Sequence, residues 1–291
     1  MRLAGINIHF KKKIMKKVNL FFVALALISF SVVMNSCKKE DTSQPTDTSV
    51  AEDDSFAEGI FDDVSVMADE AYDLKTSGVR SEEDNIVFGG CVTITLDTAV
   101  MPRVLTIDFG EENCLGLDGK YRRGKIIVTF NGRYKHPGTV ITHGFENYHV
   151  NDHNVDGTKV VTNMGPNDEG HVYYTIEVVG LIHLANDGGT ISWNSSRQRE
   201  WIQGFNTGNR WDDIYHLTGI ANGIRANGLT WEAEIMNPLR VELACRFIVS
   251  GTVELRPENR PVRSLDYGNG ECDNIATVTI NGEVYTIYLR R

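Results

Sequence analysis

The residues best suited by type and spacing to do chemistry lie in the stretch 190–204, TISWNSSRQREWIQG. In an extended strand successive side chains alternate between faces, so Trp193, Arg197, Arg199 and Trp201 point the same way, together with Ile191 and Ser195. Two indoles and two guanidiniums on one face can stack on sugar rings or grip a carboxylate. These four residues are the candidate ligand surface, and Trp211 and Trp231 widen it if they sit on neighbouring strands. The same pattern has a packing reading, with tryptophans in the core and arginines in cation–π and ion-pair contacts across strands.

Other constellations carry less. Asp152-His153-Asn154-Val155-Asp156-Gly157 matches the first half of a calcium-binding EF-hand loop, but the twelfth position is Asn163 rather than Glu and β-branched residues follow. A hairpin turn at Asp156-Gly157 explains it more simply. His143, His149 and His153 fall on either side of an Asn151-Asp152 turn that breaks their shared face, so no metal site is expected. There is no G-x-S-x-G elbow, P-loop, H-E-x-x-H or C-x-x-C, so no catalytic residue is nominated and no cofactor is expected. Glycoside hydrolysis needs only two carboxylates brought together by the fold. With 39 acidic residues, the sequence does not single out that pair.

The stretch 16–41, KKVNLFFVALALISFSVVMNSCKKED, has a basic flank, an apolar run from Val18 to Met34, two small polar residues and Cys37. The run is about 17 residues long, the size of a signal peptide and short for a membrane span. VVMNSC resembles the lipobox of bacterial lipoproteins, with Met34 where Leu or Val is commoner. The resemblance implies cleavage before Cys37 and acylation of that cysteine by palmitate-type chains. Residues 1–36 are then signal peptide, with Met15 opening a segment of conventional length. The lysine-rich and acidic CKKED resembles lipoproteins of Bacteroidota, as do GKIIVTFNGRY and LDYGNGECDN further on. That resemblance, to uncharacterised members of the group, implies a lipid-anchored place in the cell envelope at the outer membrane, periplasmic or surface-exposed. It implies no activity.

Setting Cys37 aside leaves Cys91, Cys114, Cys245 and Cys272, which an oxidising compartment allows to pair in three ways. A weak internal repeat favours one of them. RVLTIDFGEENC (103–114) and VRSLDYGNGEC (262–272) both contain Asp, an aromatic residue, Gly, three residues and Cys, and each follows another cysteine in a candidate strand. Local pairing, Cys91 with Cys114 and Cys245 with Cys272, staples each copy.

Residues 37–54 read as the lipidated cysteine and a disordered tether, being polar, acidic and nearly free of apolar residues. Phe56, Ile60, Val64, Met67 and Ala71 then recur at spacings of three and four. They predict an amphipathic helix within 55–80, covering one end of a sheet. From residue 81 to the end, alternating segments rich in Val, Ile, Thr and Tyr are bounded by Asn-Gly and Asp-Gly signals, giving about 13 strands. The connections are too short for parallel crossovers. The fold class is therefore mainly β, an antiparallel meander of long strands in an extended or curled sheet with one N-terminal helix, and a two-sheet sandwich is the alternative.

The chain has 29 Lys and Arg against 39 Asp and Glu, and six basic but no acidic residues precede Cys37, so the remainder carries a formal charge of −16. Such a balance excludes nucleic acid as a general partner. The expected partners are the membrane, through the N-terminal lipid, and a glycan or protein ligand. The expected function is a non-catalytic binding or structural module. A polysaccharide-acting hydrolase and a carrier of lipid or other hydrophobic cargo are the alternatives.

Overall fold

The structure, a computed structural model, describes residues 47–76, 88–207 and 209–290. Cys37, the export segment, the tether up to Thr46 and the Ser81–Asn85 linker lie outside the described residues. Among the described residues one α-helix, α1 (Ser49–Thr76), precedes fourteen strands. These are β1 (Thr93–Asp97), β2 (Arg103–Asp108), β3 (Cys114–Leu115), β4 (Tyr121–Phe130), β5 (Val140–Val150), β6 (His153–Pro166) and β7 (Val172–His183). The second half adds β8 (Thr190–Gln203), β9 (Ile214–Ile224), β10 (Thr230–Glu242), β11 (Ile248–Pro257), β12 (Arg263–Asn269), β13 (Ile275–Ile280) and β14 (Glu283–Tyr288). They form one antiparallel sheet in which spatial order follows chain order, open at β1 and β14, with the short β3 paired on β4.

The chain meanders because its turns fall where the backbone can take positive φ. Asn151-Asp152 joins β5 to β6 and Asn281-Gly282 joins β13 to β14, all four residues with positive φ. Two expected boundaries move. Asp156-Gly157 lies inside β6, where Gly157 lets the backbone of β7 approach; a β-carbon there would sit 2.1 Å from the Val179 carbonyl oxygen. Val241–Leu255, whose alternation predicts one continuous strand, is split between β10 and β11 by a tight connection at 243–247.

The helix differs most from expectation. It starts at Ser49 rather than near residue 55, because Asp47 is held at its head: Asp47 Oδ1 accepts from the Ser49 N–H (3.0 Å), and Oδ2 takes Arg260 Nη1 (2.7 Å). It does not cap one end of the sheet but runs inside it. Of its 28 residues only Gly59, Lys75 and Thr76 are exposed. The expected apolar stripe is buried, and so are Asp53, Asp54, Glu58 and Glu70, while the other acids are half-buried, and the strands and their connections supply cations. Asp53 pairs with Arg225 and Arg290, Glu58 with Arg197, Asp63 with Lys120 and Arg122, and Asp73 with Lys135. These partners run from Lys120, just before β4, to Arg290, just after β14, so the sheet curls around the acidic helix.

A row of inward positions shows how the curl is filled. Gly157, Gly180, Trp193, Gly223 and Trp231 are successive register partners across β6 to β10. Each large ring sits beside a glycine that makes room: a β-carbon at Gly223 would lie 2.2 Å from the Trp231 ring, and one at Gly180 would lie 2.2 Å from Phe61. Gly223→Ala is expected to destabilise by about 1–3 kcal/mol through overpacking, read as a lowered urea midpoint. An unchanged midpoint would show that the ring moves freely.

Both copies of the internal repeat fold alike. Asp108 Oδ1 accepts from the Gly110 N–H (2.9 Å) and Asp266 Oδ1 from the Gly268 N–H (2.8 Å), and both glycines have positive φ. The aromatic residue between them, Phe109 or Tyr267, is buried. The disulfides are Cys91–Cys114 and Cys245–Cys272, one per copy.

Candidate functional site

The strand β8 places Trp193, Arg197 and Arg199 inward by simple alternation, and all three are buried at 1%, 4% and 3% exposure. Their chemistry is that expected of a carboxylate-gripping aromatic face, but the carboxylates belong to α1. Trp193 Nε1 donates to Asp54 Oδ1 (3.0 Å), and its ring stacks on Phe61 with centroids 5.7 Å apart. Arg197 donates to Glu58 Oε2 from Nε (3.0 Å) and Nη2 (2.5 Å). Arg199 lies between the rings of Tyr174 and Tyr215 and faces Asp69 at 3.9 Å. Trp201 is half-buried, edge-on to Phe205 and Tyr215. These four residues therefore form no exposed ligand surface. Trp231 joins Trp193 on Asp54, its Nε1 3.1 Å from the same oxygen, while Trp211 is exposed and lines the cleft along α1 described below.

The three histidines separate. His149 is half-buried with Nδ1 2.7 Å from the Asn147 carbonyl oxygen, and His153 packs edge-on against Phe56. His143 is buried with Nδ1 3.2 Å from the Lys159 carbonyl oxygen. Burial, then the positive charges of Lys159 and Arg199, push the His143 pKa down to about 3. The folded protein therefore keeps a neutral imidazole that the unfolded chain protonates below about pH 6.5. The stability this contributes is present above that pH and lost as pH falls toward 3, at up to about 1.4 kcal/mol per pH unit. His143→Leu is expected to flatten the acid limb of stability against pH in chemical unfolding; parallel limbs in parent and variant would contradict it.

In the calcium-like segment, Asp152 pairs with Arg123 and the remaining residues continue into β6, so the segment is strand rather than ion loop. Among the described residues, the group able to offer three metal-ligand atoms within 4.8 Å is Glu169, His171 and Glu200. There His171 Nδ1 (2.9 Å) and Asn167 Nδ2 (2.7 Å) already meet one Glu200 oxygen.

A cleft of about 320 Å³ runs along the helix from Ser55 to Val66, about 17 Å at 1.5 Å per residue. Its floor is the helix stripe Ser55, Gly59, Asp62 and Val66, which spacing places on one face. One wall is the β3–β4 turn with Asp118, Lys120 and Val150; the other includes Leu217, Val241, Leu243, Phe247 and Tyr267. Arg246 ties the walls together, donating to the carbonyl oxygens of Asp118 (2.8 Å) and Leu117 (3.0 Å). No sequence pattern joined the walls of this cleft, because they come from segments far apart in the chain.

Most carboxylates around the cleft are committed. Burial opposes the charge of Asp63, but Lys120 and Arg122 outweigh it and hold its pKa below the usual range. Asp118 accepts two hydrogen bonds from Arg122, and Glu58 is held by Arg197. Among the described residues Asp62 has neither an ion pair nor a hydrogen bond, and burial raises its pKa despite the charges of Lys159 and Arg199. Comparison of the chain with protein-family models, with curated proteins and with solved structures finds no match.

Proposed function

We propose that this protein is a lipid-anchored, non-catalytic binding module of the cell envelope that takes an elongated, largely apolar ligand into the cleft over α1. The anchor rests on the lipobox resemblance at Cys37. Among the described residues no helix is long and apolar enough to cross a membrane.

The observation that carries the reading is Gly59. A glycine in the middle of a helix costs about 1 kcal/mol relative to alanine. No packing requirement explains it here, since a β-carbon at Gly59 would meet no atom within 4 Å. It is also the one exposed residue of α1 before its last turn, and what exposes it is the cleft. The absent side chain leaves open a mainly apolar groove at the lower end of the usual volume range for small-molecule sites. A hydrolase reading lacks support: a glycosidase needs two carboxylates at the scissile bond, and of those lining the cleft only Asp62 is uncommitted.

The test uses the chain from Lys38 to Arg291, which contains the whole compact unit Pro45–Arg291, titrated with the fluorescent probe N-phenyl-1-naphthylamine. The parent is expected to bind it saturably, one probe per chain. Gly59→Ala is expected to raise stability by about 1 kcal/mol, whereas Gly59→Phe keeps the fold, checked by its unfolding midpoint, and loses the probe. Undiminished binding by Gly59→Phe would remove the cleft as the site.

A further inference from the structure

We infer that the ligand of the cleft is an apolar chain bearing a protonated amine, and that the carboxylate of Asp62 receives it. The inference rests on the cleft being the binding site and adds the ligand's chemical class.

Helix α1 carries nine acidic residues and one basic one. Six of these acids have partners in the sheet and its connections: Asp53, Glu58, Asp63, Asp69 and Asp73 have cations, and Asp54 has two indole N–H groups. Asp62 is the acid on the cleft floor, one helical turn from Gly59 and on the same face, and it has no hydrogen-bond or ion-pair partner. Lys159, the cation whose charge acts on it most strongly, gives its ammonium's hydrogen bond to the Phe61 carbonyl oxygen at 2.5 Å instead. The effect of burial on Asp62 is a carboxylate short of compensation, as its raised pKa records.

The cations that line the cleft are likewise spoken for. Lys120 is on Asp63, Arg246 on two carbonyl oxygens and Arg290 on Asp53. An anionic head would therefore meet the Asp62 carboxylate and only cations that already donate to protein acceptors, and a chain without a head would leave that carboxylate further desolvated. An ammonium group compensates it while the apolar walls take the chain.

Three probes of equal chain length separate the possibilities: dodecylamine, dodecanol and dodecanoate, each displacing the naphthylamine probe from the same protein. Dodecylamine is expected to bind about tenfold more tightly than dodecanoate, the equivalent of one modest charge contact. In Asp62→Asn that preference is expected to vanish while dodecanol binding stays as it was. Dodecanoate binding as tightly as the amine, or an amine preference that survives in Asp62→Asn, would overturn the assignment of Asp62 while leaving the cleft as the site. Failure of all three chains to displace the probe, or of the parent to bind the probe at all, would overturn the cleft reading itself.

Discussion

Replacing Arg197 with methionine is expected to destabilise the protein by about 3–5 kcal/mol, because it strands a buried charge. Glu58 is 6% exposed, and its Oε2 receives both of Arg197's hydrogen bonds. Without the guanidinium, that carboxylate keeps its desolvation and loses its compensation. Changing both partners, Glu58→Leu with Arg197→Met, is expected to recover most of the loss, since an apolar pair of similar volume does not bear the desolvation of two ions. Urea unfolding of the parent, the two single variants and the double variant reads this as a coupling between the sites. A double variant no more stable than the single ones would mean that the pair's geometry, rather than its charge balance, holds helix to sheet. Arg256, which bridges Glu234 and Glu254 on the outer surface, is the control; its removal is expected to leave the unfolding midpoint in place, because solvent screens such pairs.

The same ion pairs explain what could be read from the sequence and what could not. Period-two alternation and the Asn-Gly and Asp-Gly turns identify an antiparallel meander because both signals are local. The disulfide pairing was legible for a related reason: Asp-aromatic-Gly forms the same side-chain-capped turn in both copies. A period-two pattern does not say which face is inside. Trp193, Arg197 and Arg199 obey it equally as an exposed ligand face or as the lining of a curl.

The acids of α1 read as solvated for want of visible partners, since Arg197 lies 139 positions from Glu58 and Arg290 lies 237 from Asp53. The connection at 243–247 was invisible because Leu243-Ala244-Cys245-Arg246-Phe247 contains no Gly, Pro or Asn. It is held by a disulfide and by Arg246 on distant carbonyls instead. Gly59 was the one local clue to the cleft, a glycine inside an otherwise periodic helix, and its meaning depends on the empty space in front of it.

Opening both disulfides is expected to cost about 7 kcal/mol, the sum of about 3.5 for each closed loop in the chain-entropy model. The loops span 23 and 27 residues, and a loss of that size approaches the whole stability of an ordinary domain. The two bonds are also placed where they act on the cleft. Cys245 lines it and adjoins Arg246, while Cys114 lies just ahead of the turn whose Leu117 and Asp118 carbonyls Arg246 binds. Each staple thus fixes one side of the single clasp across the groove. Cys245→Ser with Cys272→Ser is therefore expected to lower the unfolding midpoint and to speed release of the naphthylamine probe. Arg246→Ala, which keeps both staples, is expected to speed release with a much smaller loss of stability, because it removes hydrogen bonds worth about 1 kcal/mol each and no chain constraint. Stopped-flow release measured beside urea unfolding separates the two effects. Equal release rates from the parent and Arg246→Ala would show that the clasp does not control the groove, whatever the disulfides contribute to the fold.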